Sequence, residues 1–383
     1  MKIGIISEYY YPTLGGIQEH VHHFAQKALV RGHDVRIITP RVRGAYDRQL
    51  AGSHAVPVIH VGRSIPIYNN GSIARMALGY KLGNQLQHIF ENEAFDIIHI
   101  HAPLTPMLPL LALTRSPTTT IGTLHTNFEG SLLLRLFQKK CQQYLNRLNG
   151  LIAVSPAAAR PLASYFQTNC RIIPNGIDVS QFHPDLPRRS EFDDGRINLL
   201  WVGRIEPRNG LDRMIKAFIL ASQRCPNLRL IIVGDGPLRP TFEAMVPTAY
   251  KPFVYFSGFI NASRPSYYAS ADMLCVPTSI SSFGITLLEG MAAGIPIIAS
   301  DIDGFRDVMT QDREGVLIDT ANINTFAETI EAIANDKSLA LNYGMRGRQT
   351  AINFSWDRVT EKIIDYYREI KNQETGQTSR LTA

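Results

Sequence analysis

The sequence predicts an α/β protein with two doubly wound parallel sheets, one in each half of the chain. Three observations carry this. At 383 residues the chain exceeds the roughly 250–300 residues that a single core serves. Short apolar runs alternate with amphipathic helical patterns, as parallel strands covered on both faces require. The alternation then starts afresh after a stretch rich in proline and charge at residues 180–196.

In the first half, strands are expected at 3–7, 35–39, 95–101, 119–125 and 150–154, with a helix from Gln18 to Arg31. In the second half they are expected at 198–202, 228–233, 254–257, 273–276 and 297–299, with helices after Gly210, Pro237, Arg264 and Phe283. An amphipathic helix follows Trp356 to about Lys371, and the polar last dozen residues are expected to fray. The domains expected are 1–180, joined by the helix at 357–371, then a linker at 181–196 and a second domain at 197–356.

Composition excludes several classes. Four cysteines without C-x-x-C spacing argue against a zinc ribbon or a disulfide scaffold and suit a reducing compartment. The amino terminus turns polar at Ser7, too early for a signal peptide or membrane span. A cytoplasmic protein is therefore expected. The net charge of +6 is unevenly spread: 19 Lys and Arg face 10 Asp and Glu up to Ser190, against 20 and 23 beyond. The basic half suits either an anionic partner or a merely solvated surface.

Several loops fall where such sheets bind ligands, beyond the strands' carboxyl ends. Gly15 and Gly16 follow the first strand, where paired glycines and a helix start admit an anion. Arg204 follows the first strand of the second half, within Val202-Gly203-Arg204-Ile205-Glu206-Pro207-Arg208-Asn209-Gly210. A guanidinium there matches phosphate oxygens in a two-pronged fork. Gly234, in Val233-Gly234-Asp235-Gly236-Pro237, reads first as a tight turn, with a place on the cleft wall as the alternative.

In the run from Pro277 to Ala292, Phe283, Gly284 and Ile285 start a helix whose amides suit a diphosphate. Glu289 lies on that helix amid apolar neighbours and needs partners, ribose hydroxyls or a salt bridge. His125 is placed for a cleft ligand, His99 reads as a core histidine, and His101 suits either role. Metal-ligand spacing, a G-x-S-x-G elbow and a G-x-G-x-x-G fingerprint are all missing from the sequence, which argues against an NAD-dependent oxidoreductase.

Taken in order, the glycine loop, VGRIEPRNG, PNGID, VGDGP and SFGITLLEGMAAGIPIIASD resemble the retaining family-four glycosyltransferases of the GT-B fold. GGIQEHV, IPIYNNGSIAR and DGFRDVM are similar to segments of bacterial members that act on phosphatidylinositol. The resemblance implies two Rossmann-like domains facing across a cleft. It implies transfer of a hexose, by preference mannose from GDP-mannose, to a polyol-phosphate or lipid-linked acceptor, with no cofactor required. Magnesium is not implied.

Carried over by position, Gly15 and Gly16 approach the donor diphosphate, and Gln18, Asn70, Ser72 and Arg75 hold the acceptor headgroup. His125 contacts the donor sugar, Arg204 and Arg208 the diphosphate, residues 283–285 the phosphates, Glu289 the ribose and Ile260 the base. Two positions depart from the pattern. Asn209 stands where lysine is usual, and Ser281 where a glutamate should open an E-x7-E pair. These departures motivate two further readings: a different nucleotide sugar with a polysaccharide or small polyol acceptor, or a nucleotide-binding homologue without turnover.

Leu132–Phe137 followed by Lys139 and Lys140 suits an interfacial or a core-packed helix. The first alternative gives peripheral contact with an anionic membrane, at the inner face of the cell membrane; the second gives none. Nucleic acid is not an expected partner.

Overall fold

A computed structural model describes residues 1–12, 15–42, 56–69, 72–125, 135–260 and 262–381. The chain divides into two compact units. One comprises Met1–Asn175 with Trp356–Ala383, the other Gly176–Ser355.

The first unit contains β1 (Lys2–Ile6), α1 (Gly16–Val30), β2 (Asp34–Arg41), β3 (Val58–Asn69), β4 (Ser72–Leu78), α2 (Leu82–Glu93), β5 (Ile97–His101), α3 (Leu108–Arg115), β6 (Thr120–Leu124), α4 (Gln138–Leu145), β7 (Gly150–Ala153), α5 (Pro156–Ala163) and β8 (Arg171–Ile172). Its sheet runs β4-β3-β2-β1-β5-β6-β7-β8. Every neighbouring pair is parallel except the β3–β4 hairpin. β5 and β6 are buried at every position, as strands covered on both faces are, and the histidines of β5 are buried with its isoleucines. Chain order reverses between β1 and β5, and ligands of such sheets enter at that switch point.

The second unit contains β9 (Ile197–Val202), α6 (Leu211–Ser222), β10 (Leu228–Val233), α7 (Arg239–Ala244), β11 (Val254–Gly258), α8 (Arg264–Ala269), β12 (Met273–Val276), α9 (Ile285–Ala293), β13 (Ile297–Ser300), α10 (Asp303–Arg306), β14 (Gly315–Ile318), α11 (Ile323–Asn335) and α12 (Lys337–Asn353). Its parallel sheet runs β11-β10-β9-β12-β13-β14, with the switch between β9 and β12.

The final helix, α13 (Trp356–Leu381), returns to the first unit. Val359, Ile363 and Tyr367 join the core formed by Ile3, Ile5, Phe24 and Ile37. Each such fully buried side chain contributes about 1.5–3 kcal/mol of transfer energy. Outside that core, Lys27 and Arg31 both pair with Asp357. The helix outlasts the expected end at Lys371, because Glu374 accepts hydrogen bonds from Thr119 and Asn149.

One further expectation is corrected. The expected linker is packed into the second unit: Phe182 and Phe192 are buried, and Arg188 pairs with Asp272. Residues 56–78, for which no strand was read from sequence, pair as β3 and the edge strand β4. Pro66 lies beyond Arg63, the last β3 residue paired with β2, so it interrupts no ladder on that side. Asn70 and Gly71, a pair that favours tight hairpin turns, lie outside the described residues.

Candidate functional site

Each unit carries candidate site residues, most of them beyond the carboxyl ends of its strands. In the first unit Gly15 caps α1 with extended backbone, and a Cβ placed there would stand 2.8 Å from Gln18 Oε1. Gly16 is the first residue of α1, and Gln18 is buried one turn in. Arg75 lies on β4 opposite Pro66, and Ser72 pairs opposite Asn69. Arg75 is half-buried. The Ser72 side chain, like Asn70, lies outside what is described.

Glu8, which the sequence reading did not single out, ties this region together. It follows β1, and its buried carboxylate accepts the Ala77 amide two residues past Arg75. The other oxygen, Oε2, is buried without a hydrogen-bond partner among the described residues. Burial pushes the Glu8 carboxyl up to about 7, against the lowering effect of the Ala77 and Leu108 amides.

Histidines converge at the ends of β5 and β6. His99 is a satisfied core residue: Nε2 meets Thr123 Oγ1 at 2.6 Å, and Nδ1 meets the Tyr367 hydroxyl at 2.6 Å. His101 Nδ1 lies 2.7 Å from His125 Nε2. His20, on α1, packs edge-on against both rings and meets Asn175 Oδ1 at 2.8 Å through Nδ1. Burial lowers His20 to about 4 and His99 to about 3, and holds His101 and His125 well below the ordinary imidazole value. Neighbouring imidazoles oppose charging further. The group is therefore neutral at physiological pH.

In the second unit Arg204 and Arg208 straddle Glu206, at 3.3 and 3.0 Å from its two carboxylate oxygens. Both guanidinium side chains stay about half exposed, at 55% and 49%. Asn209 closes its own loop: the side-chain amide donates to the Arg204 carbonyl, while its carbonyl accepts from Trp201 Nε1. Its amide thus shapes the loop in which the two cations sit.

That loop is joined to the one after β12. Ser279 donates to the Arg208 carbonyl through both its amide, at 2.9 Å, and its hydroxyl. Gly210 has φ of +69°, and a Cβ there would come 2.1 Å from the Pro277 carbonyl oxygen. Gly210→Ala is expected to cost about 2–4 kcal/mol, combining left-handed strain with overpacking. It should also shift the Arg204–Arg208 loop and weaken binding of a phosphate-bearing ligand there. Thermal unfolding and nucleotide titration of the variant check this.

Gly234 is needed for close approach to Gly203, whose carbonyl oxygen would lie 1.8 Å from an added Cβ. Its amide bonds to Gly258, one strand further out, and half-buried Ile260 follows. Gly284, at φ of +94°, caps α9, which begins at Ile285. The first amides of a helix lack intrahelical acceptors, so α9 opens with donors and positive potential. Phe283 buries its ring against Phe354, and its amide lies 3.4 Å from Ser281 Oγ.

Glu289 is buried on α9, with Tyr268 donating to Oε2 at 2.5 Å and Arg264 Nη2 2.8 Å from Oε1. Of the two partner types weighed from sequence, a salt bridge is present within the unit. Arg264 and Tyr268 were not anticipated, because α8 reads in sequence as an unremarkable short helix.

Two doubly wound units, one with an arginine loop hydrogen-bonded to the segment that leads into α9, are the architecture of the GT-B glycosyltransferases. Residues 14–181 match the family model "Glycosyltransferase Family 4", and residues 183–350 match "Glycosyl transferases group 1". The chain is 31% identical over 391 aligned positions to "Phosphatidyl-myo-inositol mannosyltransferase" of Mycolicibacterium smegmatis, covering 99% of this chain and 98% of that one. It is 26% identical to "GDP-mannose-dependent alpha-mannosyltransferase" of the same organism, covering 97% and 98%. Among solved structures, sucrose-phosphate synthase from Thermosynechococcus elongatus superposes with a TM-score of 0.73 at 21% identity, over 97% of this chain and 99% of that one. The chain belongs to family four of the glycosyltransferases and is a hexosyltransferase.

Proposed function

We propose that the protein transfers mannose from GDP-mannose to the inositol headgroup of a phosphatidylinositol-type lipid, with retention at the anomeric carbon. The observation that carries this is the 31% identity, over 99% of the chain, to a protein named as a phosphatidyl-myo-inositol mannosyltransferase; GDP-mannose is named in a relative at 26% identity. The bond from anomeric carbon to diphosphate breaks as a bond to the acceptor oxygen forms on the same face. The acceptor proton passes to a leaving phosphate oxygen. Arg204, Arg208 and the amides at 283–285 stabilise charge on the departing diphosphate, usually the largest catalytic term. Gly16 admits the diphosphate, His125 meets the sugar, Glu289 the ribose and Ile260 the base. Gln18, Asn70, Ser72 and Arg75 bind the headgroup.

Peripheral contact with an anionic bilayer completes the reading. From Gly130 to Ile177 the sequence has six Lys and Arg and no acidic residue. Leu136 and Phe137 are 69% and 57% exposed beside the exposed cations Arg135, Lys139 and Lys140. Such a basic and apolar face suits an interface rich in anionic lipid. Among the described residues no helix is long and apolar enough to cross a membrane.

Ser281 in place of glutamate, with Asn209 turned to its own loop, motivates one alternative: a donor other than GDP-mannose. Radiolabelled GDP-mannose, UDP-glucose and ADP-glucose, each supplied with phosphatidylinositol vesicles, separate the two. Label is expected in sedimenting lipid from GDP-mannose alone. Label transferred only from another donor, or only to a water-soluble acceptor, overturns the assignment.

A further inference from the structure

His101 stands behind His125 in a way that determines which of that residue's two nitrogens carries hydrogen. His101 ends β5, pairs with Thr123 in the register of β5 and β6, and is buried. His125 follows β6 and remains partly accessible. Their rings stack at 5.0 Å between centroids, with His101 Nδ1 and His125 Nε2 2.7 Å apart. Both imidazoles are neutral, because burial and the neighbouring rings of His20 and His99 disfavour charge. Each ring therefore carries one N–H, and one of the two must donate across the pair.

The other nitrogen of His101 decides the direction. Nε2 is buried with no hydrogen-bond partner among the described residues. With a proton there, His101 Nδ1 would accept from His125 Nε2–H, and His101 Nε2–H would be left as an orphaned buried donor. Unsatisfied buried donors are among the costliest defects in a folded interior. The proton consequently belongs on His101 Nδ1, directed at His125 Nε2. His125 Nε2 then accepts, which leaves the His125 proton on Nδ1.

We propose that His101 is a positioning residue that holds His125 as its Nδ1–H tautomer, so that His125 offers the site a hydrogen-bond donor and not a base. This rests on the reading above only in giving His125 a sugar to meet. There, the N–H would steady a sugar oxygen, and the acceptor's proton would have to leave by another route, the leaving phosphate. The same arrangement explains why a neutral residue that ends a strand at the switch region needs a second histidine behind it. An imidazole turns freely about its terminal torsion unless one nitrogen is tied down.

Nitrogen-15 NMR of the full chain labelled at histidine reads the tautomer directly, with His125 assigned from its loss in His125→Gln. The expected spectrum shows His125 protonated at Nδ1. In His101→Phe, which removes the donor, His125 should become a tautomer mixture, and kcat should fall roughly tenfold to a hundredfold with little change in the KM for the donor. His101→Asn, whose amide can donate from a similar position, should restore both the tautomer and most of the turnover. An Nε2–H tautomer at His125 in the unaltered protein, or an unchanged His125 signal in His101→Phe, overturns the proposal. If the tautomer is as expected but His125→Gln turns over normally, the pairing stands and the sugar-contacting role of His125 fails.

Discussion

Arg204→Ala should lower turnover by roughly two to three orders of magnitude, or about 2.7–4 kcal/mol of transition-state stabilisation. The guanidinium follows β9 at the switch point of the second sheet, where Glu206 holds it between loop and solvent. It is half exposed, so its pairing contributes at most about 1 kcal/mol to stability, and the variant should unfold at nearly the unaltered temperature. A loss of rate without a loss of stability is what a ligand for developing charge predicts. Arg204→Lys keeps the charge but not the fork, and should recover only part of the rate. Glu206→Gln provides a contrast, since it releases Arg204 and Arg208 together from one carboxylate. Measuring kcat at saturating donor settles the matter. A turnover number unchanged in Arg204→Ala would remove the residue from the charge-stabilising set.

Glu289→Ala should destabilise the second unit by about 2–4 kcal/mol, because it removes the buried carboxylate that pairs with Arg264, whose side chain is 21% exposed. For a unit of this size the midpoint should drop on the order of 10 °C. Tyr268 loses its acceptor in the same change, which adds to the cost. Glu289→Gln keeps the shape and an oxygen for Tyr268 but not the charge, so its loss should be smaller. The double change Glu289→Ala with Arg264→Met replaces both members of the ion pair with apolar side chains and should recover much of the stability. Donor affinity separates the two roles of this carboxylate. If Glu289 also meets the ribose, affinity stays weak in the stabilised double variant; if it serves the fold alone, affinity returns. Calorimetry and nucleotide titration on the three variants distinguish these outcomes.

The sites differed in how far they were legible. Arg204, Phe283, Gly284 and Ile285 could be placed from sequence, because a loop directly after a buried strand has one place to go. Glu289 was marked by a local conflict, a carboxylate amid Leu287, Leu288 and Met291. Sequence could say that it required partners but not which, since Arg264 and Tyr268 come from a different helix. Asn209 was read by its position in a motif. Its bond to the Arg204 carbonyl depends on the fold of the loop and leaves no periodic trace. Glu8 looked like an ordinary loop residue until β4 brought the Ala77 amide to it.

The uneven charge of the halves, the positions of the buried strands read from apolar runs and the loops beyond those strands were determined by sequence alone. They follow from local rules: burial of both sheet faces, glycine at turns and arginine where phosphate arrives. Tertiary structure decided the β3–β4 edge hairpin, the full length of α13, and which buried polar groups satisfy one another. Those outcomes depend on partners far apart in the chain, such as Glu374 with Thr119 and His101 with His125. A polar group's need for a partner is set by its own chemistry, but the partner is chosen by the packing.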